Sequence, residues 1–370
     1  MIGDADLAFL DETWRAPARK SERSGGRAPL ILLAALAARG GQRGGGARAG
    51  GGGGSPRRDR LERLTRKTPE VMVKVTGSQR GASHTLAHLD YIARHGKLEV
   101  ETEDGEIVRG KEHLRAKALQ WEEDERQFSY RQTMRAEPVT STSMVLSMPP
   151  GSDPKLVYQA ARAFAHVELE GFPHMMALHT DTGHPHVHIT VASRDGEGRR
   201  FHPEKADLAR YREVFARELR ARGVEAEATP RRARGVVQKH ERVAVHKKRE
   251  RWERDEGSQP DTLASSDRKA ARLARQGRDP RPEPWETAIF NRQRHIRDHY
   301  ERAAQALGES GDPSDRRLAD DVRRFVREMP SPATRDREKA RGILRDTTPP
   351  PRQGPQPRLI PLPREPERER

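Results

Sequence analysis

Between Pro185 and Ala192 the chain reads Pro-His-Val-His-Ile-Thr-Val-Ala, a strict alternation of polar and apolar side chains. Period two is the signature of a β-strand with one buried face. Val187, Ile189 and Val191 enter a core in that register. A slip of one residue would bury His186, His188 and Thr190 instead, so the register is fixed. The polar face then carries two imidazoles side by side. Just upstream lies His179-Thr-Asp181-Thr-Gly-His184, which puts four of the 15 histidines within ten residues. His179, from the preceding element, can supply a third imidazole. Three neutral imidazoles with coordination positions left open make a catalytic divalent-metal centre, not a closed structural one. The competing reading is a set of surface histidines on a half-exposed strand.

Composition narrows the class. The 370 residues are 33% hydrophobic and 34% charged, too polar for one large core. One modest globular domain with long solvated arms fits better than two or three full domains. Lys and Arg number 71 against 56 Asp and Glu, a net charge of +15. Such a balance favours a polyanion, and nucleic acid is the usual one. Cysteine is absent, which excludes disulfides, a thiol nucleophile and Cys-type zinc fingers, and fits a reducing cytoplasm. The run Leu30–Ala38 is too short to span a bilayer and lacks signal-peptide flanks, so neither membrane insertion nor export is expected. No Walker A sequence or repeat is present.

Three regions follow. Residues 1–69 form a low-complexity Gly/Arg/Ala-rich extension, read as unfolded or loosely helical. Residues 70–235 carry the ordered domain. Residues 236–370 are basic, partly helical near 242–256 and 285–306, and disordered from about Pro330. Within the middle region strands are expected at 71–76, 143–147, 174–179 and 185–193, with a hairpin over 98–108 turning at Glu103-Asp-Gly105. Helices are expected at 83–95, 111–135, 153–169 and 207–222. The fold class is α+β: a central, mainly antiparallel sheet with helices on one face, flanked by disordered or helical basic arms.

A metal on a basic protein points to phosphodiester chemistry. The candidate for attack on phosphorus is Tyr91, one of five tyrosines, in His88-Leu-Asp-Tyr91-Ile. On a helix His84, His88 and Tyr91 share a face. At this point two readings of Tyr91 stand: a nucleophile, or a core aromatic beside Leu86 and Leu89.

Taken together, His88-Leu-Asp-Tyr91-Ile, Met144-Val-Leu-Ser147-Met-Pro-Pro-Gly151 and His179-x-Asp181 followed by His186-x-His188 resemble the three motifs of the Mob/Vir-type plasmid relaxases of the HUH endonuclease superfamily. Arg212–Leu219 and Ala228–Gly235 extend the likeness, which covers about Val71 to Gly235. The resemblance implies a site- and strand-specific nicking-joining nuclease for conjugative mobilisation. Tyr91 would attack single-stranded DNA at a transfer origin and form a 5′-phosphotyrosine. His179, His186 and His188 would hold Mg²⁺ or Mn²⁺. An imidazole-rich site by itself suits Zn²⁺ or Cu²⁺, so that metal assignment rests on the resemblance. Asp181 would orient a ligand histidine or accept the tyrosine proton, against a plain turn-forming role before Gly183. Ser147 and His88 would touch DNA near the nick, and Arg194, Arg199, Arg200 and His202 would hold its backbone. Relaxosome accessory proteins and a type IV secretion coupling protein are implied partners. The setting would be the bacterial cytoplasm, with passage into a recipient cell. Rival readings are a rolling-circle replication initiator nuclease, a metal-dependent hydrolase using water, and a non-catalytic metal-stabilised DNA-binding protein. Initiators usually place the tyrosine after the histidines, the reverse of the order here.

Overall fold

Among the described residues six strands form one sheet in the order β1-β4-β6-β5-β2-β3, with every pair antiparallel. They are β1 (Met72–Arg80), β2 (Val100–Thr102), β3 (Ile107–Val108), β4 (Val139–Ser147), β5 (His174–His179) and β6 (His186–Ala192). The coordinates are a computed structural model that describes residues 2–15, 56–129, 137–238, 241–277 and 280–347. Its α-helices among those residues are α1 (Leu10–Trp14), α2 (Pro56–Thr65), α3 (Gly81–Ile92), α4 (Lys111–Ser129), α5 (Pro154–Glu168), α6 (Lys205–Arg220), α7 (Val243–Glu253), α8 (Asp261–Arg275), α9 (Pro284–Gly308), α10 (Pro313–Glu328) and α11 (Arg335–Thr347).

The alternation in β6 does what its period requires. Val187, Ile189 and Val191 are fully buried with Val73, Met144, Leu146 and Met176 against α5 and α6. Phe164 of α5 meets Tyr211 and Phe215 of α6 edge-on, at 5.4 and 6.5 Å between ring centroids. Asp153 starts α5 by accepting the Lys155 amide at 2.8 Å. The opposite face is not bare. Met175, Ala177 and Ala192 pack under α3 and α4, so helices cover both faces, not one. The covering stripe on α4 is narrow: Leu114, Ala118, Trp121 and Glu125 are its buried positions. Charged neighbours at the other positions hide that stripe from a reading by composition.

Two strands outrun their apolar segments. β4 begins at Val139, because Thr140 to Ser143 find partners for their hydroxyls. Ser141 and Ser143 both donate to Gln79 Oε1 at 2.8 and 3.1 Å, and Thr140 donates to the Gly81 carbonyl at 3.1 Å. β1 continues past Thr76 to Arg80 through a bulge between Val75 and Gly77.

The flanks contain more helix than composition suggested. Two compact units are formed, one of Met1–Arg234 with Arg294–Met329, the other of Gly235–Gln293 with Pro330–Arg370. In the first, Leu7, Leu10 and Trp14 join Leu61 and Leu64 of α2, Ile296, Tyr300 and Leu307 of α9, and Leu318 and Val322 of α10 in a core of their own. Arg58 donates to the fully buried Asp315 at 2.9 Å. Arg63 of α2 donates at 2.7 Å to Glu227, which is also within 3.5 Å of Arg60. The described part of residues 1–69 is therefore helical and packed, not loose. In the second unit Ala270, Ala274 and Ala340 let α8 and α11 approach closely, and Arg337 pairs with Glu286 in a buried fork. Disorder expected from Pro330 gives way to α11 over Arg335–Thr347. The run Leu30–Ala38, residues 130–136 of the expected helix, and the tail beyond 347 lie outside the described residues. Among the described residues no helix is long and apolar enough to cross a membrane.

Candidate metal centre and nucleophile

Antiparallel register, not loop geometry, assembles the histidines. Ser147 of β4 faces His186 of β6, and His186 faces His179 of β5, so the three side chains share one row. One step along β6, His188 stands between Val145 and Ala177, and Lys74 of β1 extends that row. Ring centroids are 5.1 Å apart for His179 and His186, 4.4 Å for His179 and His188, and 5.2 Å for His186 and His188. One ring nitrogen from each lies within 4.8 Å of the others.

Hydrogen bonds fix which nitrogens are free. A carbonyl oxygen only accepts, so a ring nitrogen bonded to it carries the proton. His179 Nε2 donates to the Ile92 carbonyl at 2.7 Å, and its Nδ1 is left buried without a partner. His186 Nδ1 donates to the His184 carbonyl at 2.9 Å, leaving Nε2 available. His188 Nδ1 is also buried without a partner. Unpartnered buried nitrogens are costly unless something supplies the missing bond. A divalent cation does so, and the donor set fits one.

Electrostatics favours the ligand form. Burial pushes His188 down to about 3, and the neighbouring His179, His186, His88 and Arg94 push the same way. His179 is lowered first by burial; its bond to the Ile92 carbonyl opposes that, while Arg94 and His186 add to it. Burial alone lowers His88, whose Nε2 is buried and unpartnered. These imidazoles stay neutral, as metal ligation and proton acceptance require.

α3 brings Tyr91 to this face. Tyr91 is 49% exposed and not a core residue. Its ring meets His188 edge-on at 6.1 Å and lies 6.2 Å from His88. Arg94, one turn on, sets its guanidinium 5.1 Å from the Tyr91 ring centre and pairs with Asp181 at 2.5 Å. Desolvation raises the Asp181 carboxyl, but Arg94, a backbone hydrogen bond and the two nearby histidines together outweigh it and hold the group below its usual range. Arg94 reaches this position because α3 ends with Arg94 and His95 both left-handed, at φ 51° and 57°. Such φ values cost non-glycine residues about 1–2 kcal/mol each. That ending also frees the Ile92 carbonyl for His179.

Of the residues expected at the site, Tyr91, His88, Ser147, Asp181 and the three histidines come together here. Ser147 is buried and donates weakly to the Met148 carbonyl at 3.4 Å. Arg194, Arg199, Arg200 and His202 do not join them. Arg194 lies eight positions beyond His186, past the end of β6 and about 26 Å along the chain at the usual strand rise. There Arg194 donates to the buried Glu125 at 2.9 Å, Arg200 lies 3.7 Å from the same carboxylate, and Arg199 pairs with Asp195 at 2.5 Å. Those arginines hold the turn that follows β6. Arg94 and Lys74 were missed in the sequence. Arg94 stands three residues after Tyr91 beside the helix-ending Gly96, and Lys74 follows the alternation of β1, so both had a readable signal.

Residues 91–224 match the family model described as the MobA/VirD2-like relaxase nuclease domain. The chain is 26% identical over 203 residues to the T-DNA border endonuclease VirD2 of Rhizobium radiobacter, covering 50% of this chain and 47% of that protein. It is 24% identical over 279 residues to the T-DNA border endonuclease VirD2 of Agrobacterium fabrum strain C58, covering 65% and 60% respectively. The chain thus spans about half the length of the first of these relatives and three-fifths of the second.

Proposed function

Because the chain carries a Mob/Vir-type relaxase nuclease domain, we propose that it nicks single-stranded DNA at a transfer origin by tyrosine transesterification. The observation that carries this reading is an exposed tyrosine beside three clustered imidazoles with nitrogens free to ligate. His179, His186 and His188 would hold Mg²⁺ or Mn²⁺. When bound, the cation withdraws charge from a non-bridging oxygen of the scissile phosphate.

The chain's own groups do the rest. Tyr91 Oη forms a bond to phosphorus as the bond to the 3′ oxygen opposite it breaks, giving a 5′-phosphotyrosine and a 3′ oxygen that takes a proton from water to leave as a hydroxyl. The phenolic proton passes to His88, neutral and with Nε2 unpartnered. Arg94 faces the phenol ring and stabilises negative charge as it develops there. Asp181 positions that guanidinium. Ser147, beside His186 in the same row, borders the path of the strand, and Lys74 offers a phosphate contact. Because the phosphotyrosine bond conserves the energy of the broken phosphodiester, the strand can be rejoined. On duplex DNA, accessory proteins that open the strands and a type IV coupling protein would be its partners in transfer.

The test uses the full chain with Mn²⁺ and labelled single-stranded DNA from the transfer-origin region of its own element, resolved on a denaturing gel. A DNA band that travels with protein is expected, absent in Tyr91→Phe and with chelator. Cleavage that survives Tyr91→Phe and leaves no protein on the DNA would replace this mechanism with hydrolysis by water. Tight binding without any cleavage would reduce the protein to a DNA-binding module. Activity compared across Mg²⁺, Mn²⁺ and Zn²⁺ identifies the working ion.

A further inference from the structure

A second group of ligand-type side chains is gathered in the first compact unit, on two helices and not on the sheet strands. His295 and His299 are one helical turn apart on α9, so they share a face. Their ring centroids are 4.1 Å apart. Glu12 of α1 approaches them, with Oε1 3.7 Å from His295 Nε2, and one ligating atom from each of the three lies within 4.8 Å of the others. An ion pair between Glu12 and His295 would account for two exposed groups only. It does not account for His299, which is 4% exposed yet lies against the exposed ring of His295.

The N-terminal segment is shaped around that buried ring. Thr13 Oγ1 lies 2.8 Å from His299 Nδ1, and Phe9 meets the ring edge-on at 5.5 Å. With the hydroxyl accepting a hydrogen bond from Nδ1–H, Nε2 keeps its lone pair, as in metal-binding histidines oriented by an outer partner. Burial keeps His299 neutral, with the neighbouring His295 acting in the same direction. Two histidines at i and i+4 on a helix, completed by a carboxylate, form a donor set of the zinc type.

We propose that Glu12, His295 and His299 bind a borderline divalent cation of the zinc class, with water in the fourth position, and that this ion clasps the N-terminal helix to α9. The site is separate from the nicking centre: its ligands come from α1 and α9, which carry none of the nicking residues. A cation bound only by the folded form raises stability in proportion to its occupancy.

Zinc is titrated against a chromogenic chelator with the full chain carrying His186→Ala and His188→Ala, which removes the other histidine cluster. One equivalent of zinc should remain bound, and zinc should raise the melting temperature. Adding His295→Ala or Glu12→Gln, both at exposed positions, should weaken that binding at least tenfold and abolish the thermal shift. Thr13→Val should weaken it about tenfold, the usual effect of losing an orienting partner. Cobalt in place of zinc should give visible absorption that disappears with His295→Ala. No bound equivalent in the double variant, or one whose affinity ignores both His295→Ala and Glu12→Gln, would overturn the proposal.

Discussion

His188 shows how a single side chain ties the site to the stability of the protein. Free imidazole titrates near 6.5, and His188 is pushed down to about 3. As pH falls below 6.5 the unfolded chain takes up a proton at this position and the folded chain does not. Stability is therefore fully present above 6.5 and is lost progressively towards 3. His179 and His88 are lowered too and add to the same slope. In chelator, the urea midpoint should drop between pH 6.5 and 4, and drop less in His188→Asn. An equal acid slope in both proteins would contradict the burial argument. At this scale much of the site is legible in sequence, since His186, His188 and their spacing announce a shared face. Arg94 left a weaker signal, its place three residues after Tyr91, because its final position depends on the left-handed Arg94 and His95.

At the scale of elements, the strands with apolar alternation declare themselves, as β5 and β6 do. β4 is longer than its apolar part, because its hydroxyls are satisfied by Gln79 and Gly81, partners some sixty residues away in the chain. α4 hides its buried stripe among charges, so the second helical layer is read only from tertiary packing. The layer on the other face depends on Phe164, fully buried between Tyr211 and Phe215. Phe164→Ala should cost about 3–5 kcal/mol, seen as a lower urea midpoint. Zinc affinity at the Glu12 cluster should be unchanged in this variant, since that cluster has its own core.

For the molecule as a whole, the relaxase-like region is tied to a helix that precedes its first strand. Glu227 is buried, and its partners Arg60 and Arg63 come from α2, before the first strand. Removing one side of a buried ion pair typically costs about 3–5 kcal/mol. A fragment of residues 70–240 should unfold at a clearly lower urea concentration than the full chain, as should Arg63→Ala within the full chain. Equal midpoints would show that α2 is dispensable. α2 escaped the sequence reading because Leu61 and Leu64 are its only apolar residues, too few to mark a face until their partners near Tyr300 are known. The register of His179 against His186 has a consequence for descent. The interval between those two imidazoles is the spacing of neighbouring strands, about 4.8 Å, a ruler built from backbone that no side-chain change rescales. A lineage is free to recut the turn at 180–185, lengthen it, or exchange the helices beyond it, and its offspring inherit the same pair of imidazoles at the same separation.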